Sequence, residues 1–212
     1  MGSFTAVIFM VFEWFMRIVK LNVLWLLSCM VGVLLFSFFP ATVAAFAVTD
    51  QWVKGNVHIA IGKTFWKAFK DYYWKSQLIG FILSILYTII MVDFRFFGRI
   101  ENITIQYVTF GLLTIILVGL LILSVNVFPT LVRSDQGIKA TCKHSFFTGV
   151  SFLHLTGVTI LGIIGILLVS YRFPATFFFL TGGGIMMWVT CLNQIIRHKV
   201  EVRYKKLNRV ID

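Results

Sequence analysis

The chain has 212 residues, 59% of them hydrophobic and only 13% charged, with 23 Phe and 6 Trp; a water-soluble domain of this size would carry about 25% charged residues. Lys and Arg number 19 against 8 Asp and Glu, giving a net charge of +11. Composition therefore excludes a soluble globule, and three scattered cysteines, Cys29, Cys142 and Cys191, with no C-x-x-C pair, argue against a disulfide framework or a zinc site.

Five stretches hold no Asp, Glu, Lys or Arg: residues 21–49, 76–92, 102–132, 145–171 and 173–196. A bilayer core of about 30 Å needs roughly 20 apolar residues in a helix, so each is long enough, or nearly so, to cross it. Ahead of them, Phe4 to Lys20 carries Glu13, Arg17 and Lys20 on an apolar background, with Glu13 and Arg17 spaced to pair on one helical face. This segment reads as an interfacial helix, with a short sixth span as the alternative. The first apolar stretch is too long for one upright crossing, and Pro40 offers a break. The expected spans are about 21–39, 76–92, 107–128, 150–171 and 174–196, in a single membrane domain over 1–212. The fold class is an all-α polytopic bundle of about five transmembrane helices, plus the N-terminal interfacial helix and a cytoplasmic amphipathic one. The long first stretch has no small-residue cleavage pattern and reads as retained, not as a signal peptide.

The amphipathic helix lies between Ile59 and Lys75. At 100° per residue Phe65, Trp66, Phe69, Tyr72 and Tyr73 share one arc, while Lys63, Lys67, Lys70, Asp71 and Lys75 lie opposite. Such a helix serves as a membrane-interface anchor; the sharper reading is a docking surface for a partner.

Loop charge sets orientation. With five crossings, one side collects 14 Lys and Arg, including Lys54, Lys63, Lys67, Arg133, Lys139, Arg197 and Lys206, and the other only Arg17, Lys20, Arg95, Arg99 and Arg172. The basic side is expected to be cytoplasmic, the N-terminus outside and the C-terminus inside. Basic loops against anionic headgroups account for the charge, so lipid and not nucleic acid is the expected partner.

All three prolines share a context: Phe39-Pro40-Ala41-Thr42, Phe128-Pro129-Thr130 and Phe173-Pro174-Ala175-Thr176. The first two are each followed by a basic loop and then by a Lys with adjacent aromatics, Lys63 with Phe65 and Trp66, Lys143 with Phe146 and Phe147, which suggests two related hairpins. Parallel repeats occur in transporters, where sites form at the repeat interface.

Residues able to carry chemistry are few. His154 reads as a packing histidine, Arg172 as a turn residue reaching headgroups, and Asn126 as an amide able to cap or bond across helices. Gly182, Gly183 and Gly184 strip side chains from every direction round one helix, and Gly157 and Gly165, eight apart, are the candidate face to receive that packing. Asn102-Ile103-Thr104 matches a glycosylation acceptor but decides nothing. No nucleophile constellation, carboxylate dyad, Walker loop or H-E-x-x-H occurs, so neither an enzyme nor a cofactor is expected.

Pro40-Ala41-Thr42, Ala44, Ala45, Trp52, Gly55, Phe65-Trp66 and Phe69-Lys70, followed by Ser76 and Gly80, form a recognisable pattern. It resembles the YesL-like family of small bacterial membrane proteins, of unassigned function and found mainly in Firmicutes. Members usually carry Gly before Pro-Ala-Thr, where this chain has Phe39. The resemblance implies a location in the bacterial cell membrane and, from the company such proteins keep, an accessory role beside an ATPase-driven carbohydrate importer. Permease subunits of that importer are then the implied partners. The chain shows no E-A-A coupling loop, so it is not expected to be the pore-forming permease. The reading is a non-catalytic accessory subunit, with an independent small transporter or channel built from two hairpins as the alternative.

Overall fold

The computed structural model describes the backbone of residues 2–100, 102–134 and 137–211, with side chains left undescribed at 2–4, 33–35 and 203–211. The last range contains Lys206 and three more of the basic residues counted above, whose side chains therefore lie outside the described residues. Eight α-helices follow one another: α1 (Gly2–Val31), α2 (Val33–Val53), α3 (Ile61–Phe97), α4 (Ile103–Arg133), α5 (Ile138–Ser151), α6 (Leu153–Arg172), the single turn α7 (Pro174–Thr176) and α8 (Gly182–Ile211), with a π-helical turn (Phe177–Thr181) between the last two. No strand occurs among the described residues. The all-α class is as expected, and among the described residues four helical segments, Ile61–Phe97, Ile103–Arg133, Leu153–Arg172 and Pro174–Val202, are long and apolar enough to cross a membrane. They cover the apolar stretches that begin at residues 76, 102 and 173 and the later part of the one that begins at 145, whose first residues lie in α5.

The N-terminal region is arranged differently from expectation. Residues 4–20 are not a separate interfacial helix but the first half of α1, and the chain breaks at Gly32 instead of Pro40, which lies inside α2. At Gly32 a Cβ would meet the Ser37 hydroxyl at 1.5 Å, so the link between the helices has no room for a side chain. From there α2 folds back along α1: the Trp25 Nε1 donates to Thr42 Oγ1, and Trp14 meets Trp52 edge-on at 6.0 Å. This antiparallel hairpin returns the start of α1 to the end of the bundle where α2 finishes. A single crossing ending at Pro40 would have put it at the opposite end. Proline is tolerated within membrane helices where local bonding adjusts, and beside Pro40 the Thr42 Oγ1 donates back to the Phe38 carbonyl. Pro129 sits inside α4 in the same way, with Thr130 Oγ1 donating to the Asn126 carbonyl.

Three helices, α2, α4 and α8, run side by side in the same direction. Thr49 on α2 meets Thr190 on α8 at 2.8 Å, Asn193 on α8 donates to Asn126 on α4 at 3.2 Å, and Phe39 on α2 stacks on Phe128 of α4 at 6.1 Å. The two Phe-Pro motifs thus touch. Each of the two proline-bearing helices is followed by a return traverse: α3 after α2, and α5 with α6 after α4. The correspondence is one of layout more than of packing. α3 is continuous over 37 residues, about 55 Å at 1.5 Å per residue, whereas the second traverse is interrupted at Phe152. Phe65 is fully buried while its proposed counterpart Phe146 is exposed; Trp66 and its counterpart Phe147 are both exposed.

The core sits among α2, α3 and α8, where Ala41, Ala44, Ala45 and Val48 bring helix axes close and Phe65, Trp52, Met186 and Val189 fill the space between them. The outer faces stay apolar: Leu112, Ile115, Leu161 and Leu168 are all more than half exposed. In water that surface would drive aggregation, and in a bilayer it is the lipid contact.

A test of the hairpin follows. With the native cysteines replaced, Trp14→Cys and Trp52→Cys together are expected to cross-link efficiently with a short bismaleimide, read as a mobility change after denaturing electrophoresis. An interfacial helix at residues 4–20 ahead of a crossing that ends at Pro40 would hold the two positions apart and give no cross-link.

Candidate functional site

The ends of the three parallel helices meet in a charged cluster. Asp50 is three residues from the end of α2 and only 3% exposed. A buried carboxylate must be paired or neutralised, and two cations reach it. Lys54, one turn on, donates from Nζ to Oδ2 at 2.6 Å, and Arg133, the last residue of α4, donates from Nε to Oδ1. Lys54 is half in water, but the Arg133 side chain is 4% exposed. Arg197 on α8 completes the cluster, bordering the same small cavity as Lys54, Arg133 and His198. Tyr72 closes the side toward α3, its hydroxyl donating to the Val132 carbonyl at 3.1 Å.

Cavities flank the ion pair on both sides. One, of about 490 Å³, is bordered by Asp50, Lys54, Lys63, Lys67, Asp71 and Tyr72 on the α3 side. Two others, of about 380 and 180 Å³, lie toward α5 and α8, and both are bordered by Arg133, Arg197 and Glu201. The ion pair is the wall between them.

A second polar junction lies deeper, where α1 crosses the π-helical turn. Asn22 is fully buried; its Nδ2 donates to the Phe177 and Phe178 carbonyls at 3.1 and 2.6 Å, and its Oδ1 accepts from the Gly183 amide at 3.0 Å. A π-turn leaves carbonyls without their usual i→i−4 partners, and one side-chain amide satisfies them from a neighbouring helix. Nearby Ser170 and Thr181 share a 2.5 Å hydroxyl contact between α6 and the π-turn.

Of the glycines named from the sequence, Gly165 and Gly184 border one cavity of about 490 Å³ between α6 and α8, but none packs directly on another. Gly182 and Gly183 pack on α1: a Cβ on Gly183 would stand 2.8 Å from the Ile18 carbonyl oxygen, and one on Gly182 would meet Asn22 and Trp25 at 2.7 Å. Gly184, Gly157 and Gly165 have open space around them. Contact between α6 and α8 runs instead through Gly162, where a Cβ would lie 2.0 Å from Trp188 Nε1. The aromatic residues of 59–75 divide in the same manner. Phe65 is buried against α2, Phe69, Tyr72 and Tyr73 are half-buried, and Trp66 remains exposed with Trp74, Lys63, Lys67 and Lys70. Part of that arc is therefore core of this chain and not a free surface. Of the remaining pattern residues, Ala41 and Trp52 are buried in the core, Pro40 and Thr42 shape α2, and Gly55 turns the chain after α2 with φ of +94°, a conformation open to glycine at little cost.

Among other residues, Asn126 bonds across helices to Asn193, Asn102 caps α4 by accepting from the Thr104 and Ile105 amides, and His154 is exposed beside Phe152. Cys142 on α5 is half-buried, and burial pushes its thiol above the ordinary value, so it lacks the thiolate character of a reactive cysteine. Among the described residues no group of three or more His, Cys, Asp and Glu is placed to hold a metal ion.

Asp50, Asn22 and Asn193 were not singled out from the sequence, and Arg133 and Arg197 entered only as loop charges. A signal was present for Asp50, the single acid closing the first apolar stretch and four residues before Lys54. Nothing in the sequence pairs it with Arg133, 83 positions away.

Removing one member of a buried ion pair leaves the other unpaired, at about 3–5 kcal/mol. Asp50→Ala is expected to lose stability of that order in detergent unfolding, and Asp50→Leu combined with Arg133→Met to recover most of it. Equal loss in the single and double variants would show that the pair is not coupled as the geometry requires.

Residues 18–94 match the family model described as "Protein of unknown function, DUF624". The chain is 32% identical to the uncharacterized protein YteU of Bacillus subtilis (strain 168) over 146 residues, 68% of this chain and less than two thirds (64%) of YteU. It is 29% identical to the uncharacterized protein YesL of the same organism over 82% of this chain and 80% of YesL, and 28% identical to the uncharacterized protein YesV over 74% and 76%. No solved structure matches it. The family segment runs from Ile18 through the Gly32 link to Phe94 near the end of α3, so it contains the second half of α1, all of α2, Asn22 and Asp50. The chain is thus similar to the YesL-like proteins, and its residues 18–94 match the DUF624 family model.

Proposed function

We propose that this chain is a non-catalytic accessory subunit in the bacterial cell membrane, seated beside the permease of an ATPase-driven oligosaccharide importer. The YesL-like resemblance motivates the importer, and one observation carries the accessory role. α6 presents an outward face with Gly157, which has open space around it, and the exposed Leu161, Ile164 and Leu168; Gly165, at its edge, borders the cavity of about 490 Å³ shared with Gly184 and Trp188 of α8. Small residues on an outward helix face permit a second helix to approach closely, where association depends on van der Waals packing.

Orientation follows from charge. Lys54, Lys63, Lys67, Arg133, Lys139 and Arg197 all fall at the end of the bundle that also receives the start of α1, and the opposite end holds Arg95, Arg99 and Arg172. By the positive-inside rule the basic end is cytoplasmic. The α1–α2 hairpin then brings the N-terminus to the cytoplasmic side, together with α8, in place of the outside position expected from five crossings.

Mild-detergent purification from the native membrane is expected to bring down a permease or ATPase subunit, and deletion to lower import of the sugar. Gly157→Leu with Gly165→Leu should abolish co-purification while leaving the chain folded and membrane-inserted. Solitary purification together with unchanged import would reject the proposal, and flux by the pure chain in proteoliposomes would favour an independent transporter.

A further inference from the structure

We infer that the cytoplasm-facing basic end contains a binding site for a phosphoryl group, seated between Arg133 and Arg197. The inference begins with an unfinished hydrogen-bond set. Arg133 spends its Nε on Asp50, yet Nη1 and Nη2 are also buried and have no partner. Leaving buried donors of a charged group unmade is costly, and a guanidinium with one edge engaged still offers donors in the fork geometry that matches an oxyanion.

The surroundings fit an anion. Arg133 borders both the 380 Å³ and the 180 Å³ cavity, and Arg197 and Glu201 border both with it. The larger also presents His144 and the Thr148 hydroxyl, and the smaller Lys54 and His198. Asp50 is already shared by two cations. Glu201 is the one acid that borders these two spaces among the described residues; it is exposed and forms no ion pair within 4.0 Å among them. Three permanent cations thus face two carboxylates, one of them at the rim, and the surplus charge sits beside unpaired donors.

A phosphoryl group suits this arrangement better than a lone carboxylate. Its three terminal oxygens can accept from both guanidiniums and from a hydroxyl at once, and such charge-assisted bonds are among the strongest available. The two cavities also leave room for whatever the phosphoryl is attached to. Two sources carry that chemistry at this position: inorganic phosphate or a phosphate monoester from the cytoplasm, and the monoester headgroup of phosphatidic acid in the adjoining leaflet. The site does not depend on the importer association proposed above.

The test uses the full chain in nanodiscs of phosphatidylcholine, titrated with inorganic phosphate against chloride at constant ionic strength and followed by thermal unfolding. In parallel, native mass spectrometry of the chain released from nanodiscs containing phosphatidic acid reports bound lipid. Phosphate-dependent stabilisation in the first arm identifies a soluble ligand, and retained phosphatidic acid in the second identifies a headgroup; either supports the site if Arg197→Gln weakens it by roughly tenfold or more, as loss of one charged hydrogen-bonding partner should. Arg197 is chosen because Asp50 keeps Lys54 and Arg133 in that variant. Arg197→Lys, which keeps the charge without the fork, is expected to fall between. Absence of both effects in the unmodified chain, or their persistence unchanged in Arg197→Gln, overturns the inference.

Discussion

Hydrocarbon offers no hydrogen bonds to a peptide group, and this constraint governs the rest of the molecule. Every backbone amide and carbonyl in contact with lipid must be satisfied within its own segment, which leaves helices as the form available to a chain of this composition. Outward positions are free to be Leu, Ile, Val and Phe, and polar groups are confined to places where another helix answers them. Asn22, Thr49, Asn126, Thr190 and Asn193 are all nearly or fully buried, and each bonds to a group on a neighbouring helix. Since lipid tails are as apolar as leucine, such contacts and close packing, rather than hydrophobic burial, decide which helices adjoin.

The same logic explains why the departures from regular helix occur where they do. A π-helical turn exposes carbonyls that lipid cannot serve, and it is found where Asn22 of α1 reaches them. Two prolines lie inside helices, and in each case a threonine one or two residues later bonds back to the preceding turn. Asp50 and Arg133 stand near helix ends at the basic end of the bundle, where burial within protein and closeness to headgroups together make a charged pair tolerable. Fold and candidate site are thus one arrangement: the parallel run of α2, α4 and α8 that packs the core also delivers Asp50, Arg133 and Arg197 to one place.

Much of this was readable from residue order. Charge-free runs located the apolar helices, and the spacing of Glu13 and Arg17 anticipated their 2.6 Å ion pair. The break at Gly32 was not readable, because proline is the stronger helix breaker in water while a lone glycine in an apolar run is ordinary. In this setting the proline is accommodated and the glycine permits the reversal. The amphipathic arc at 59–75 carried an ambiguity of its own: aromatic residues opposite lysines suit a lipid interface and a protein interface equally, and only the fold-back of α3 on α2 shows that Phe65 is core. Long-range partners were beyond reach for a plainer reason, since Asp50 with Arg133 and Asn22 with Gly183 are set by helix order in space and leave no local periodic trace.

The most direct test of lipid as the solvent of this bundle is spin-label relaxation in reconstituted bilayers, with single labels at Leu161 on α6 and Ile115 on α4, both strongly exposed, and a control at Asn56 in the α2–α3 loop. Oxygen, which partitions into hydrocarbon, is expected to relax the first two labels strongly while a water-soluble nickel chelate does not, and the control should show the reverse. Nickel relaxation at Leu161 and Ile115 equal to that at Asn56 would mean those faces meet water, and the account would be contradicted.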